Sequence, residues 1–197
     1  NTTTDGITNA GNFSTDGGTI KLDGSFPTGP QNVALGDQAL ASGSLSGGYN
    51  VAIGDTALKT NTSGAANVAV GRDALELNTT GCRNTSLGQN SMYTNTTGDF
   101  NTAVGREALY SNETADENTA LGCGALRANT TGCENTAVGT NSLDANVSGD
   151  NNTAVGMHAL GANTTADNNT AVGYCALKLN TTGANNIAIG SLSLDAN

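Results

Sequence analysis

The sequence predicts an all-β protein, a parallel β-solenoid (β-roll) of ten 17-residue coils. Three observations predict it. A five-residue phrase, N-[VTI]-[AS]-[VLI]-G, begins at Asn32, Asn50, Asn67, Asn84, Asn101, Asn118, Asn135, Asn152, Asn169 and Asn186. The first step between copies is 18 residues and each of the next eight is 17, so the phase never drifts. Composition leaves little else to build a core from: Asn, Thr and Gly supply 83 of 197 residues, whereas Leu, Ile, Val and Phe supply 34. A chain so poor in large apolar side chains stays disordered unless repeats stack like upon like.

Residues 1–31 precede the repeat and read as a cap or connector. Phe13, Ile20, Leu22 and Phe26 are its few large apolar residues, and Pro27 and Pro30 stand near its end. TIKLDG, from Thr19, reads as a short β segment closed by an Asp-Gly turn. The repeat domain is expected over residues 32–197.

Within each repeat, Asn is counted as position 1. Positions 2 and 4 are β-branched or aliphatic and share one side of an extended strand. That side is expected to face the core, leaving the Ala of position 3 outside, against something that packs closely. Gly at position 5 permits a bend or a close backbone approach. Position 8 is Ala or Ser, and position 9 is Leu in every copy but one, where it is Met92. These anchor a short second segment. Asn at position 12 and the Thr-Thr-Gly that usually follows supply a polar turn. Stacked at ~4.8 Å, such coils set each apolar position over its own copy. A rival reading puts GREAL (from Gly105) and GRDAL (from Gly71) on a helical turn, as in leucine-rich repeats, but those need at least ~20 residues per repeat.

Composition also narrows function. With 7 Lys and Arg against 17 Asp and Glu there is no basic surface for nucleic acid. No apolar run approaches the ~18 residues of a membrane span. His158, the single histidine, sits at position 7, where Gln38, Thr56, Asp73 and Glu107 also occur, and it reads as a surface residue rather than a general base. No catalysis is expected, and no cofactor or metal is called for. Asp99 and Asp116, like Asp150 and Asp167, stack at position 16, either solvated or bridged by calcium. Adjacent threonines of the turn point opposite ways, which disfavours an ice-binding array.

Two groups of residues are candidates for covalent modification. Cys82 and Cys133 share position 16 three coils apart, ~14 Å by coil spacing and beyond disulfide reach. Cys123 and Cys133 lie in one coil and are the disulfide candidates; pairing between chains, or four free thiols, are the alternatives. No C-x-x-C spacing suggests zinc. The sequon N-x-[ST] recurs at position 12 in eight repeats, at Asn61, Asn78, Asn95, Asn112, Asn129, Asn146, Asn163 and Asn180. These are N-glycosylation candidates, or simply a turn that favours Asn and Thr.

The phrase N-[VT]-A-[VIL]-G with its spaced Ala or Ser resembles the head repeats of trimeric autotransporter adhesins. The segment GTIKLDGSFPTG (Gly18–Gly29) followed by NVALG repeats, Ala-Leu and Asn-Thr-Thr-Gly is similar to repeats of marine phage tail and appendage fibres. The resemblance covers residues 18–197. It implies a homotrimer, an extracellular setting on a virion appendage or cell surface, and a structural shaft that supports attachment to a cell-surface receptor. Two further readings are an adhesin head that binds host matrix or glycans directly, and an N-glycosylated extracellular filament.

Overall fold

A computed structural model describes residues 31–42 and 44–195 of the 197-residue chain. The connector expected over residues 1–31 thus lies outside the described residues, Gln31 apart.

Ten three-residue strands form one parallel sheet: β1 (Val33–Leu35), β2 (Val51–Ile53), β3 (Val68–Val70), β4 (Thr85–Leu87), β5 (Thr102–Val104), β6 (Thr119–Leu121), β7 (Thr136–Val138), β8 (Thr153–Val155), β9 (Thr170–Val172) and β10 (Ile187–Ile189). Their order in the sheet is their order in the chain. Val51 pairs with Val68 and Val68 with Thr85, so equivalent positions form straight files. The 18-residue first step is absorbed outside the strands, because Val33 still pairs with Val51. The chain is a parallel β-solenoid, and the described residues contain no helix. The second segment that Leu was expected to anchor is a run of turns.

Hydrogen bonds join successive coils around the circumference, well beyond the sheet. The amide of Val51 donates to the Asn67 carbonyl (2.8 Å), that of Thr56 to Asp37 (2.8 Å), that of Leu58 to Ala74 (3.1 Å), that of Thr62 to Thr79 (2.9 Å), and that of Arg83 to Ala65 (2.9 Å). A turn segment therefore satisfies its backbone as a strand does, by bonding to the matching segment of an adjacent coil.

Burial corrects the expected direction of the strand. The position-3 file points inward: Ala52, Ala69, Ala103, Ala120, Ala137, Ala154 and Ala171 are all 0% exposed. Positions 2 and 4 face out and are half-buried to exposed, Leu121 at 37% and Ile189 at 72%. A 17-residue loop encloses so little space that a methyl group fits under the strand and a Val does not. The remaining interior holds the position-8 Ala or Ser and the position-9 Leu, from Leu40 through Leu160. One coil departs as a unit: Ser86 and Ser91 replace the two alanines and bond to each other beside Met92.

The tight circuit needs left-handed backbone at three recurring places besides glycine. Positions 7, 9 and 17 have φ of 50–62°, as at Glu107, Leu109 and Glu117. Each such residue costs roughly 1–2 kcal/mol. Burying a Leu side chain returns roughly 1.5–3 kcal/mol, so position 9 gains little net beyond its own strain. Position 5 is Gly for two independent reasons. At Gly71 φ is +136°, and a Cβ would lie 2.6 Å from the carbonyl oxygen of Gly88 in the next coil.

Candidate functional surface

The side chains that hold the coils together are asparagines, and they lie inside. Two amide columns run along the solenoid. In the position-1 column, Asn50 Oδ1 accepts from the Asn67 amide (3.0 Å) and Asn67 Oδ1 from the Asn84 amide (2.9 Å). In the position-12 column, Asn78 Nδ2 donates to Asn61 Oδ1 and Asn95 Nδ2 to Asn78 Oδ1, both at 2.8 Å. The columns converge on the carbonyl of position 15. Gly64 O accepts from Asn50 Nδ2 and from Asn61 Nδ2, each at 2.9 Å. A buried primary amide unites two donors with an acceptor, so one residue type can bond up, down and across within one coil.

The eight sequon asparagines are therefore interior residues. Asn61, Asn78, Asn95, Asn112, Asn129, Asn146 and Asn163 are 0% exposed, and Asn180 is 8% exposed. The Nδ2 that would carry a sugar donates to the position-15 carbonyl in all eight, for example Asn112 to Ala115 at 3.0 Å. In the folded solenoid a glycosyltransferase has no access to it. Sequence reasoning placed these residues in an exposed turn because Asn favours turns. The contrary signal was the near-invariance of Asn at position 12, from which Gly43 alone departs, where a turn accepts Asp, Ser or Gly as readily.

The cysteines are four free thiols. Cys123 and Cys133 do not bridge: Cys123 Sγ accepts from an Arg106 guanidinium nitrogen (3.8 Å), and Cys133 Sγ accepts from the Asp116 amide (3.4 Å). Position 16 is an acceptor column in which thiol and carboxylate play one part. The Cys82 amide donates to Asp99 Oδ1 (2.6 Å), the Asp99 amide to Asp116 Oδ1 (2.7 Å), and the Asp150 amide to Asp167 Oδ1 (2.8 Å). These carboxylates are stacked as expected, and each is held by an amide of the preceding coil. Among the described residues no three His, Cys, Asp or Glu side chains are grouped to hold a metal ion.

Outside, charged and aromatic side chains touch along the columns. Glu107 bonds Arg106 (2.6 Å) and Arg127 (2.8 Å), while Tyr93 and Tyr110 stack with centroids 5.4 Å apart. The Glu76 carboxylate, helped by burial, lifts the Tyr93 hydroxyl above its usual range. Burial pushes the Asp144 carboxyl up, while its own backbone amide, His158 and Arg127 pull the other way. His158 stands on the outer surface at position 7, half-buried and in left-handed backbone.

The sheet face differs from these columns. It presents positions 2 and 4, and in ten copies neither position holds a charged residue. Among the described residues no helix is long and apolar enough to cross a membrane. Comparison with protein families, with curated proteins and with solved structures finds no match to this chain.

Proposed function

We propose that the chain is a structural fibre module, a shaft segment that holds an attachment tip away from the virion or cell that bears it. One observation carries the reading: every described coil is bonded to the next through backbone and through the position-1 amide column, from Asn32 to Asn186, and the position-12 column adds a second set of bonds from Asn61 to Asn180. Such a stack resists bending and stretching because any deformation must break several hydrogen bonds in one coil boundary at once. Its outer columns vary freely in chemistry, from Asp55 to Met157 at position 6, which suits a spacer more than a site. The reading assigns no catalytic step to the chain.

The resemblance to trimeric adhesin heads and phage fibres supports a homotrimer displayed outside the cell, with the receptor met elsewhere on the fibre. The adhesin-head reading differs in requiring the coils themselves to touch the receptor. The N-glycosylated filament reading has the buried amide columns against it. Deleting 34 residues, two whole coils, from the full-length fibre separates the first two. A shaft shortens by ~10 Å and keeps attachment. Loss of attachment with the fibre intact would overturn the shaft in favour of direct adhesion.

A further inference from the structure

The free variation of the exposed columns has one exception. In eight successive coils the turn runs Asn-x-[Ser/Thr], and its third residue is position 14. That column extends from Ser63 to Thr182 and holds Thr in six coils and Ser, at Ser63 and Ser148, in two. Every one of these residues is exposed. Over the same coils the neighbouring exposed columns change character. Position 6 passes through Asp55, Arg72, Met157 and Tyr174, and position 17 through Arg83, Phe100 and Glu117. Ser and Thr differ in shape at Cβ, so what position 14 keeps is a hydroxyl.

The fold does not ask for that hydroxyl. Ser and Thr serve turns by bonding back to nearby backbone, and no position-14 hydroxyl bonds to a described residue. Position 13, one residue earlier, is the contrast, because there the hydroxyl is used. Thr62 Oγ1 donates to the Thr79 carbonyl (2.9 Å), Thr79 Oγ1 to the Thr96 carbonyl (2.9 Å) and Thr130 Oγ1 to the Val147 carbonyl (3.1 Å). Yet position 13 gives way to Glu113 and to Val147. The hydroxyl that makes bonds is dispensable, and the one that makes none is never lost. A requirement with no source inside the fold comes from something that reaches the exposed hydroxyl from outside.

We propose that position 14 is a column of acceptor sites for O-linked sugar, one per coil. In the transfer the hydroxyl oxygen attacks the anomeric carbon of a nucleoside-diphosphate sugar. A carbon–oxygen bond to Ser or Thr forms as the bond from that carbon to the diphosphate breaks. The hydroxyl proton passes to a base of the transferase, and the nucleoside diphosphate leaves. The acceptor is accessible: each hydroxyl stands on an exposed turn beside a Gly or Ala at position 15, and no hydrogen bond to a described residue has to be broken first. Acceptors recur at ~4.8 Å along ~34 Å of solenoid. Charge favours a neutral sugar over phosphate, the other group that a bare hydroxyl takes. Asp99, Glu113, Asp116, Asp150 and Asp167 lie within two residues of the column, and stacked phosphates would set like charge beside them. The Asn of the same sequons is buried in the amide column, so the pattern that reads as N-linked exposes its oxygen acceptor and hides its nitrogen. The proposal does not depend on the shaft reading, since a shaft and an adhesin head would carry the column alike.

Peptide mass spectrometry of the chain purified from the organism that produces it tests this. Whole-sugar increments are expected on position-14 residues. Alkaline β-elimination should release them and leave dehydrobutyrine at Thr or dehydroalanine at Ser, which maps the sites. An unmodified chain, phosphate increments, or sugar confined to other positions would overturn the proposal. Thr97→Val/Thr114→Val/Thr131→Val, made in the same organism, keeps side-chain shape and should lose sugar at those three residues while Thr80 and Thr165 retain it. Made by cell-free translation, with no transferase present, the same variant should match the wild-type urea midpoint. A lowered midpoint there would give the hydroxyls a structural role and remove the argument for an outside one.

Discussion

Replacing one asparagine in the middle of the position-12 column tests the amide columns most directly. Asn112 is 0% exposed. Its Nδ2 donates to Asn95 Oδ1 (2.8 Å) and Ala115 O (3.0 Å), and its Oδ1 accepts from Asn129 Nδ2 (3.2 Å). In Asn112→Ala the three partners fare differently. Ala115 O keeps Asn101 Nδ2 at 2.8 Å, and Asn129 Nδ2 keeps Gly132 O at 2.8 Å. Asn95 Oδ1 loses its donor and is left buried and unpaired, which costs about 1–3 kcal/mol. The small void left by the amide adds to this, so a loss of about 2–4 kcal/mol is expected. Asn180→Ala, near the last described coil and 8% exposed, should cost under about 1 kcal/mol because water replaces the amide. Asn112→Asp should be worse than Ala at neutral pH, since a carboxylate then faces Asn95 Oδ1 and Ala115 O, two acceptors. That Asp would have its folded pKa raised, so its penalty should fall as pH is lowered and the carboxyl becomes a donor. Urea unfolding followed by far-ultraviolet dichroism measures all three variants. Asn112→Ala within about 0.5 kcal/mol of wild type, or no difference between Asn112 and Asn180, would refute the argument that the column holds the coils.

Four further outcomes are expected. Ala120→Leu should cost at least about 1–3 kcal/mol by overpacking a fully buried site, whereas Leu121→Ala on the outer face should cost under about 1 kcal/mol in a monomeric background; urea midpoints in the reverse order would restore the outward alanine. Glu117→Asn, at an exposed site with φ of 59°, should stabilise by about 0.5 kcal/mol, since Asn tolerates left-handed backbone better than Glu; thermal melts decide. The raised Asp144 carboxyl binds its proton more tightly folded than unfolded, so its contribution to stability falls as pH rises above the ordinary Asp range, and Asp144→Asn should flatten that part of a pH–stability curve. Passage through a eukaryotic secretory pathway should yield protease-sensitive chain where sequons acquire glycans, and blocking N-glycosylation should restore resistance; a resistant solenoid with sugar on Asn112 would contradict the buried columns.

Much of this architecture was legible in the period. Ten phrases in phase fix ten strands in parallel register, and the invariant Gly of position 5 marks the close approach seen between Gly71 and Gly88. Alternation along a strand, however, says only which residues share a side, not which side is inside. Val and Thr at positions 2 and 4 suggested a core by their chemistry, while the monotony of Ala at position 3 was the truer sign, because an enclosed site admits one size. The position-16 acceptor column was hidden by chemistry too: Cys and Asp look unrelated until Cys82 Sγ and Asp99 Oδ1 are found accepting amides from the coil before them. Left-handed backbone at Leu109 had no signal at all, since Leu is a poor choice there and is retained for its burial.

The strain and the outward-facing aliphatic files have one origin. A 17-residue coil closes through left-handed turns at positions 7, 9 and 17 and encloses one large apolar side chain beside its two asparagines. Burying one Leu, worth roughly 1.5–3 kcal/mol, does not offset roughly 3–6 kcal/mol of strain at three such positions. Stability has to come from neighbours, the coils above and below, through backbone and amide columns. A fold that is marginal per coil and cooperative along its length tolerates change in copy number far better than change within a copy. Removal of residues 101–117 in full, one coil, should therefore leave the stack in register. Removal of residues 101–109 alone should break the amide columns and the sheet at that boundary. Hydrogen exchange distinguishes the two, since protection in coils beyond the deletion survives the first and is lost in the second. Equal protection in both would mean that the coils do not depend on in-phase stacking.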